Sequence, residues 1–459
     1  MLIRSRREFL RTTLRSVTAL GAAGAMSKFG AMNALAQSGS GYQALVCIFL
    51  SGGNDGHNTV VPIATAQQNY SLYQQNRGGL AIAQGALLPI ANGSDTYGLH
   101  PSLVEIQGLY TQGKAAILAN VGMLVQPLTQ QQYQTANSTM IPAQLFSHSD
   151  QTGQWQTGIP TGLGATGWGG RITDSLQSYN VGAKFPAIAS VGGCGLFCSG
   201  AQTSPATVPP PYSGSSAGTG MATLGGLQSG AATANGMQQL LQFSNGLLLV
   251  QAGNGIVTNG NSYANTLTGL LGSNKIKTAF PANSPLASQL LTVANVMSVQ
   301  SQLGLSRQIF FCQLGSFDTH SGQTETQTPL LQQLSQAVNA FYTAISQELG
   351  IVQNVTAFTA SEFGRTLSPS GSDGSDHAWG NHHFIIGGSV VGGKFYGNFP
   401  SLALGGPNDA NTRGTLIPTT AVDQYGATLA QWFGVGPGSL SSVFPNIGHF
   451  APSKLGFLG

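Results

Sequence analysis

Six short runs are apolar almost throughout: ALVCIFL (44–50), AAILANVG (115–122), PAIASVGG (186–193), RQIFFCQL (307–314), NVTAFTAS (354–361) and HFIIGGSV (383–390). A strand with one wet face alternates apolar and polar residues, so a run that is apolar at every position is covered on both faces. Helical patterns separate the runs, among them PSLVEIQGLYTQG (101–113) and TPLLQQLSQAVNAFYTAISQELG (328–350). The alternation predicts an α/β fold: a mostly parallel central sheet with helices on both faces. Ligands of such sheets bind beyond the carboxyl ends of the strands.

That edge is where this chain places its polar residues. ALVCIFL runs into SGGNDGHN, RQIFFCQL into GSFDTHSGQ, and NVTAFTAS into EFGRT. Asp55, Asp318, His320 and Glu362 are therefore expected to meet. Charged residues make up only 7% of the chain and there are eight histidines, yet Asp376, His377, His382 and His383 crowd one loop just after Arg365. Carboxylate plus imidazole suits a divalent cation such as zinc or manganese. Taken singly, Asp318-Thr319-His320 and Asp376-His377 read equally well as turn and cap residues; their placement at successive strand ends favours the metal. Asp55 sits among glycines that let the backbone turn sharply, and His57 reads as a loop residue. Ser147, in FSHSDQTGQWQTG (146–158), reads either as a helix N-cap or as a nucleophile facing the helix amides.

The first residues, MLIRSRREFLRTTLRSVTALGAAGAMSKFGAMNALAQ, pair Arg6-Arg7 with a weakly apolar run and a small-residue exit at Ala34–Ala36. This is the layout of a twin-arginine export signal over residues 1–36, and it predicts a periplasmic or secreted protein that passes the twin-arginine translocase. The apolar run is too short for a membrane span. Six of the seventeen basic residues and one of the fourteen acidic ones lie in this segment, leaving eleven and thirteen, a net of −2. No basic stripe remains for nucleic acid.

Roughly 420 residues remain after the signal, enough for one large domain or two ordinary ones. Residues 41–459 read as a single α/β domain. The stretch 196–275, rich in Gly, Ser, Ala, Thr and Pro, reads as an insertion or cap within it. Cys194 and Cys198 are spaced to close a small disulfide loop in an oxidising compartment, while Cys47 and Cys312 lie inside apolar runs and read as core.

Several segments together resemble domain-of-unknown-function family 1501: FLSGGNDGHNTVVP, Ser147-His148 ahead of Trp155, GWGGR (167–171), GSFDTHSGQ, TASEFGRT, and SDHAWGNHHFIIGG with KFYG soon after. That family is generally placed in the alkaline phosphatase/sulfatase superfamily. The resemblance implies a metal site for phosphate- or sulfate-ester chemistry. It matches Asp55 to the first-strand aspartate and places the nucleophile near Ser147 or His148. The superfamily's metal-binding Asp/His pair is shortened to Asp318-Thr319-His320, and its last histidine resembles His377. Where the superfamily has Asp-His, this chain has Glu362-Phe363, so His382 or His383 is the candidate replacement for the missing imidazole.

The expected catalytic groups are thus Ser147, His148 and Arg365, with Arg365 holding the anion. The expected metal shell draws on Asp55, Asp318, His320, Glu362, Asp376, His377 and His382 around zinc, manganese or calcium. The expected function is an exported metal-dependent hydrolase of small anionic phosphate or sulfate esters. The alternative is a non-catalytic exported protein that keeps the fold, and perhaps a structural metal, for an unknown protein partner.

Overall fold

Alternate residues of the first strand, Gln43–Leu50, bury into opposite cores. Ala44, Val46, Ile48 and Leu50 join one apolar cluster, and Leu45, Cys47 and Phe49 join another. In this computed structural model, described over residues 41–135, 137, 139–162, 164–193, 195–211, 219–221, 230–242, 248–272 and 276–459, that two-sided burial organises the whole chain. The proposed signal (1–36) and Cys194, with its pairing to Cys198, lie outside the described residues.

The strands are β1 (Gln43–Leu50), β2 (Val60–Ala64), β3 (Leu88–Asn92), β4 (Asp95–Leu99), β5 (Ala115–Gly122), β6 (Ile188–Ser190), β7 (Ala206–Thr207), β8 (Arg307–Leu314), β9 (Val355–Ala360), β10 (Asn381–Gly387), β11 (Phe395–Tyr396) and β12 (Thr420–Ala421). Nine of them form the central sheet in the order β11-β5-β10-β9-β1-β8-β6-β7, with β12 also on β5. β2, β4 and β3 form a small antiparallel sheet. β1 is parallel to both β8 and β9, whereas β10 is antiparallel to β9 and β5. The fold is α/β with a mixed, mostly parallel sheet. Helices Pro285–Ser298 and Gln323–Thr343 cover one face. Helices His148–Thr157, Trp168–Ser175 and Val422–Phe433 cover the other. Within 196–275, the helix Leu248–Leu271 packs Leu267 and Leu271 into the first core. No described helix is long and apolar enough to cross a membrane.

β10 is the antiparallel exception in the mostly parallel sheet for a local reason. The connection from β9 (residues 361–380) contains no helix to carry the chain back across the sheet, and a parallel neighbour requires such a crossover. The chain turns at the sheet edge and runs back beside β9. The connection folds on itself, with Ala378 N donating to Gly364 O at 2.8 Å and Thr366 N to Asp376 O at 3.0 Å. This pairing sets His377 across from Arg365.

One buried acid gives a stability prediction. Asp423 is fully buried, and neither carboxylate oxygen has a hydrogen-bond partner among the described residues. Burial pushes its carboxyl up to about 7, against a smaller opposing pull from its own backbone amide and Arg171. The folded state therefore keeps a proton that the unfolded chain releases near pH 4. This group's contribution falls as pH rises from about 4 to about 7 and is level above that. Asp423→Asn should exceed the parent in stability by about 2–4 kcal/mol at pH 8, with the gain shrinking toward pH 4. Urea unfolding of both proteins at the two pH values checks this; an equal difference at both would contradict it.

Candidate metal centre

β9, β1 and β8 are adjacent and parallel, so the loops that follow them emerge side by side. The loop after β8 carries Asp318 and His320, the loop after β9 carries Glu362 and Arg365, and the return into β10 brings Asp376 and His377 to the same edge. Ser375 N donates to Thr319 O at 3.0 Å, joining two of these loops. Their approach requires glycine at two points. A side chain at Gly374 would meet His320 C at 2.2 Å, and one at Gly52, whose φ is +118°, would meet Asp318 N at 2.4 Å. Two non-glycine residues here also take left-handed backbone, Phe146 (φ 74°) and Ser316 (φ 75°). Such strain is retained where the surrounding structure fixes it.

The donors converge through their outer ring nitrogens. His377 Nε2 lies 3.0 Å from His148 Nε2, 2.9 Å from His320 Nε2 and 3.3 Å from Asp318 Oδ1. Asp318 Oδ1 is also 3.5 Å from His148 Nε2 and 3.2 Å from His320 Nε2. The inner nitrogens all point at acceptors: His148 Nδ1 at Glu362 Oε1 (2.9 Å), His377 Nδ1 at the Phe146 carbonyl (2.8 Å) and His320 Nδ1 at Asp376 Oδ1 (3.3 Å). An acceptor-only partner favours a proton on Nδ1, which turns the Nε2 atoms of His148 and His377 toward each other and toward Asp318 Oδ1, with His320 Nε2 beside His377 and Asp318. A cation among them relieves the crowding of these lone pairs.

The compact set of donors is His148, Asp318 and His377. Three corners of a tetrahedron around an ion bonded at about 2.0–2.1 Å stand about 3.3 Å apart; the observed separations are 3.0, 3.3 and 3.5 Å. The residues fit a transition-type divalent ion. Calcium, which wants six to eight oxygens, fits this nitrogen-rich set poorly.

Each donor has its own support. Glu362, buried behind His148, also accepts from Gly52 N at 2.8 Å, and this contact raises the His148 imidazole above its ordinary pKa despite partial burial. Burial, the largest influence, lowers His377. Asp318 would be raised by its partial burial, but the Arg365 guanidinium, 2.5 Å away, outweighs that and holds the carboxyl at about 2. Asp376 is held low in the same way, burial being outweighed by Arg413 at 2.5 Å.

Several sequence expectations need correction. Asp55 does not face the cluster. It is buried in an ion pair with Arg77, and its carboxylate also accepts from Gln323 Nε2 (2.5 Å) and His57 N (3.0 Å), so it is committed to the interior. His382 is buried in the strand, its ring stacked on Phe399 at 4.8 Å and its Nδ1 accepting from Asn120 N. His383 packs edge-on against Trp155. Burial pushes both imidazoles down to about 3, with a neighbouring histidine adding to it. Arg365 is buried, and its guanidinium serves Gly53 O, Ser375 O, Gly52 O and Asp318, so it orients a metal donor instead of holding an anion. Glu362 and Asp376 stand behind histidines, and His148 is a donor in its own right. Arg413 and Gln323 carry no signal of this role in the sequence: Arg413 lies in a polar stretch without a motif, and Gln323 closes GSFDTHSGQ, where Asp318 and His320 draw the attention.

Ser147 takes the capping role. Its Oγ caps the helix His148–Thr157 through Asp150 N and donates to Asp150 Oδ2 at 2.6 Å. Ser147→Ala should cost about 1 kcal/mol in thermal unfolding and leave metal content unchanged; a loss of metal would contradict the cap assignment. A cavity of about 430 Å³ reaches the cluster at His148 and Asp318, with Ser51, Ser149, Thr152 and Ser316 on its walls.

With this geometry in place, comparison with known proteins is direct. The sequence profile described as "Protein of unknown function (DUF1501)" matches residues 42–420. The chain belongs to the DUF1501 family. No curated protein sequence matches it. Solved structures that align with this DUF1501 protein include Ps i-CgsB in complex with k-i-k-neocarrahexaose (9% identity, 89% of this chain and 77% of that one, TM-score 0.35). Two others are the lipoteichoic acid synthase LtaP from Listeria monocytogenes (8%, 86% and 73%, 0.32) and the PsFucS1 sulfatase from Pseudoalteromonas sp. (10%, 81% and 67%, 0.32).

Proposed function

We propose that this protein is an exported metal-dependent hydrolase of small phosphate or sulfate esters. The observation that carries the reading is the set of His148, His377 and Asp318 donors at tetrahedral spacing on the wall of an open cavity. Three protein donors beside an accessible space is the arrangement of catalytic zinc-type sites. The motif resemblance to the alkaline phosphatase/sulfatase superfamily supports the same chemistry. A divalent ion there supplies Lewis acidity toward an ester oxygen.

The chain's own groups do the rest. Glu362, the Phe146 carbonyl and Arg365 fix the directions of His148, His377 and Asp318. Hydroxyls of Ser51, Ser149, Thr152 and Ser316 offer hydrogen bonds to a substrate in the cavity. Ser147 Oγ is engaged in the cap, which favours water over Ser147 as the attacking group.

One observation favours the non-catalytic reading: His320 adds a fourth donor to the cluster, and a closed set of four is the structural kind of site. Two measurements on the purified protein separate the readings: elemental analysis, then hydrolysis of a panel of aryl phosphate and sulfate esters. Bound metal with turnover that a chelator abolishes supports the hydrolase. Bound metal with no turnover of any ester favours the assembly role, and absence of both sinks the metal account.

A further inference from the structure

His320 differs from the other three donors in how it is held. His148 and His377 keep their inner nitrogens on partners at 2.9 and 2.8 Å, one a buried carboxylate and the other a backbone carbonyl. Asp318 is fixed by a guanidinium whose side chain is 0% exposed. His320 is 47% exposed, as is Asp318, but its inner nitrogen reaches only Asp376, at 3.3 Å. Asp376 and its own partner Arg413 are 38% and 42% exposed. Contacts between exposed charged groups contribute little. Three donors are locked by the fold, and the fourth rests on a solvated support.

The cavity adds a direction. It reaches the cluster at His148 and Asp318, whose donor atoms stand 3.5 Å apart. A ligand oxygen arriving there meets the ion between those two donors. His320 contacts the cluster through His377 Nε2 and Asp318 Oδ1. A group entering on one face of a four-coordinate ion expels most readily the donor that is least constrained.

We infer that His320 is an exchangeable ligand: it fills the fourth position while the cavity is empty and gives way to an anionic oxygen that enters past His148 and Asp318. Its ring then stays tethered to Asp376 and Arg413 at the rim. The inference rests on the metal site proposed above and adds a regulation of it. The same site is closed and protected at rest, and open to a substrate oxyanion when one arrives. The exposure of the Asp376–Arg413 pair follows from the role, because a displaced imidazole needs room on the solvent side.

Cobalt(II) as the metal and inorganic phosphate as the anion test this without measuring turnover. Wild type, His320→Ala and His148→Ala are stripped, titrated with cobalt by visible absorption, then titrated with phosphate, with far-ultraviolet dichroism as the control for folding. His320→Ala should bind one cobalt per chain within about tenfold of wild type, less than the upper end of the loss caused by removing a mere orienting partner. It should also bind phosphate more tightly, because no ligand has to leave. Wild-type cobalt should keep its coordination number when phosphate binds, one ligand replacing another; in His320→Ala phosphate fills the vacated position. His148→Ala should lose cobalt by about 100-fold or more. If His320→Ala loses cobalt as severely as His148→Ala, or binds phosphate no better than wild type, His320 is not exchangeable while the metal site itself stands. If wild type takes up no cobalt, the metal site fails and this inference fails with it. His320→Asn, which keeps a polar side chain, repeats the test should the alanine variant not fold.

Discussion

Asp55→Ala should destabilise the protein by about 3–5 kcal/mol, the usual cost of leaving one member of a buried ion pair uncompensated. Both side chains of the Asp55–Arg77 pair are fully inaccessible. Arg77 also holds three parts of the chain together, donating to Asn58 Oδ1 and to the carbonyls of Thr366 and Leu367 at 2.8–2.9 Å. Removing the carboxylate strands the guanidinium in a dry interior and frees Gln323 at the start of the helix Gln323–Thr343. Denaturant unfolding measures the loss. Asp55→Ala/Arg77→Met should recover much of it, since replacing both partners removes the stranded charge. A variant as stable as the parent would show that the pair is solvated and that Asp55 is free for some other role.

Glu362→Gln should weaken metal binding by about 10–100-fold, the usual cost of losing a partner that orients a metal-bound histidine. The carboxylate is buried, accepts from both Gly52 N and His148 Nδ1, and alone fixes the outward direction of the His148 lone pair. A neutral amide presents either a weaker acceptor or a donor that turns the ring's proton the wrong way. Stability should change less than affinity, so a competitive titration with a coloured chelator separates the two effects. Unchanged affinity would mean that His148 does not hold the ion.

How much of this was legible in the sequence depended on whether a residue's direction follows from its neighbours. Asp318, His320 and His377 could be placed because each follows or precedes an apolar strand, and strand ends of a parallel sheet meet at one edge. The same rule placed Asp55 at that edge correctly, but an aspartate in a Gly-rich turn reads alike whether it faces the cleft or the core. Its partner, Arg77, ends an unremarkable polar helix, YSLYQQNR, that carries no charge pattern pointing back to it. His382 and His383 were misread for a related reason. Alternation does send them to opposite faces, yet both faces of a central strand are covered, so turning away from one core leads only into the other. The sequence marks His148 as chemically important, but for the imidazole absent at Phe363 it points to the adjacent His382-His383 pair. The imidazole that the structure brings to this edge is His148, from the N-terminus of a helix after β5, more than two hundred positions earlier, and only the folded chain brings that helix to Glu362.

Specific contacts limit which of the strand-end residues can share an ion. Asp55 is spent on Arg77, and Glu362 is spent on His148 and Gly52. The described residues gather one compact His/Asp set with room for one ion.

Metal stoichiometry is therefore the most direct test. Protein refolded or expressed with zinc, manganese and calcium available, then desalted and analysed for its elements, should carry one transition-type divalent ion per chain and no bound calcium. His377→Ala should carry none while keeping the dichroism of the parent, because the apolar cores on both faces of the sheet, not the ion, hold the fold. Two ions per chain, calcium as the resident metal, or full occupancy in His377→Ala would contradict the account.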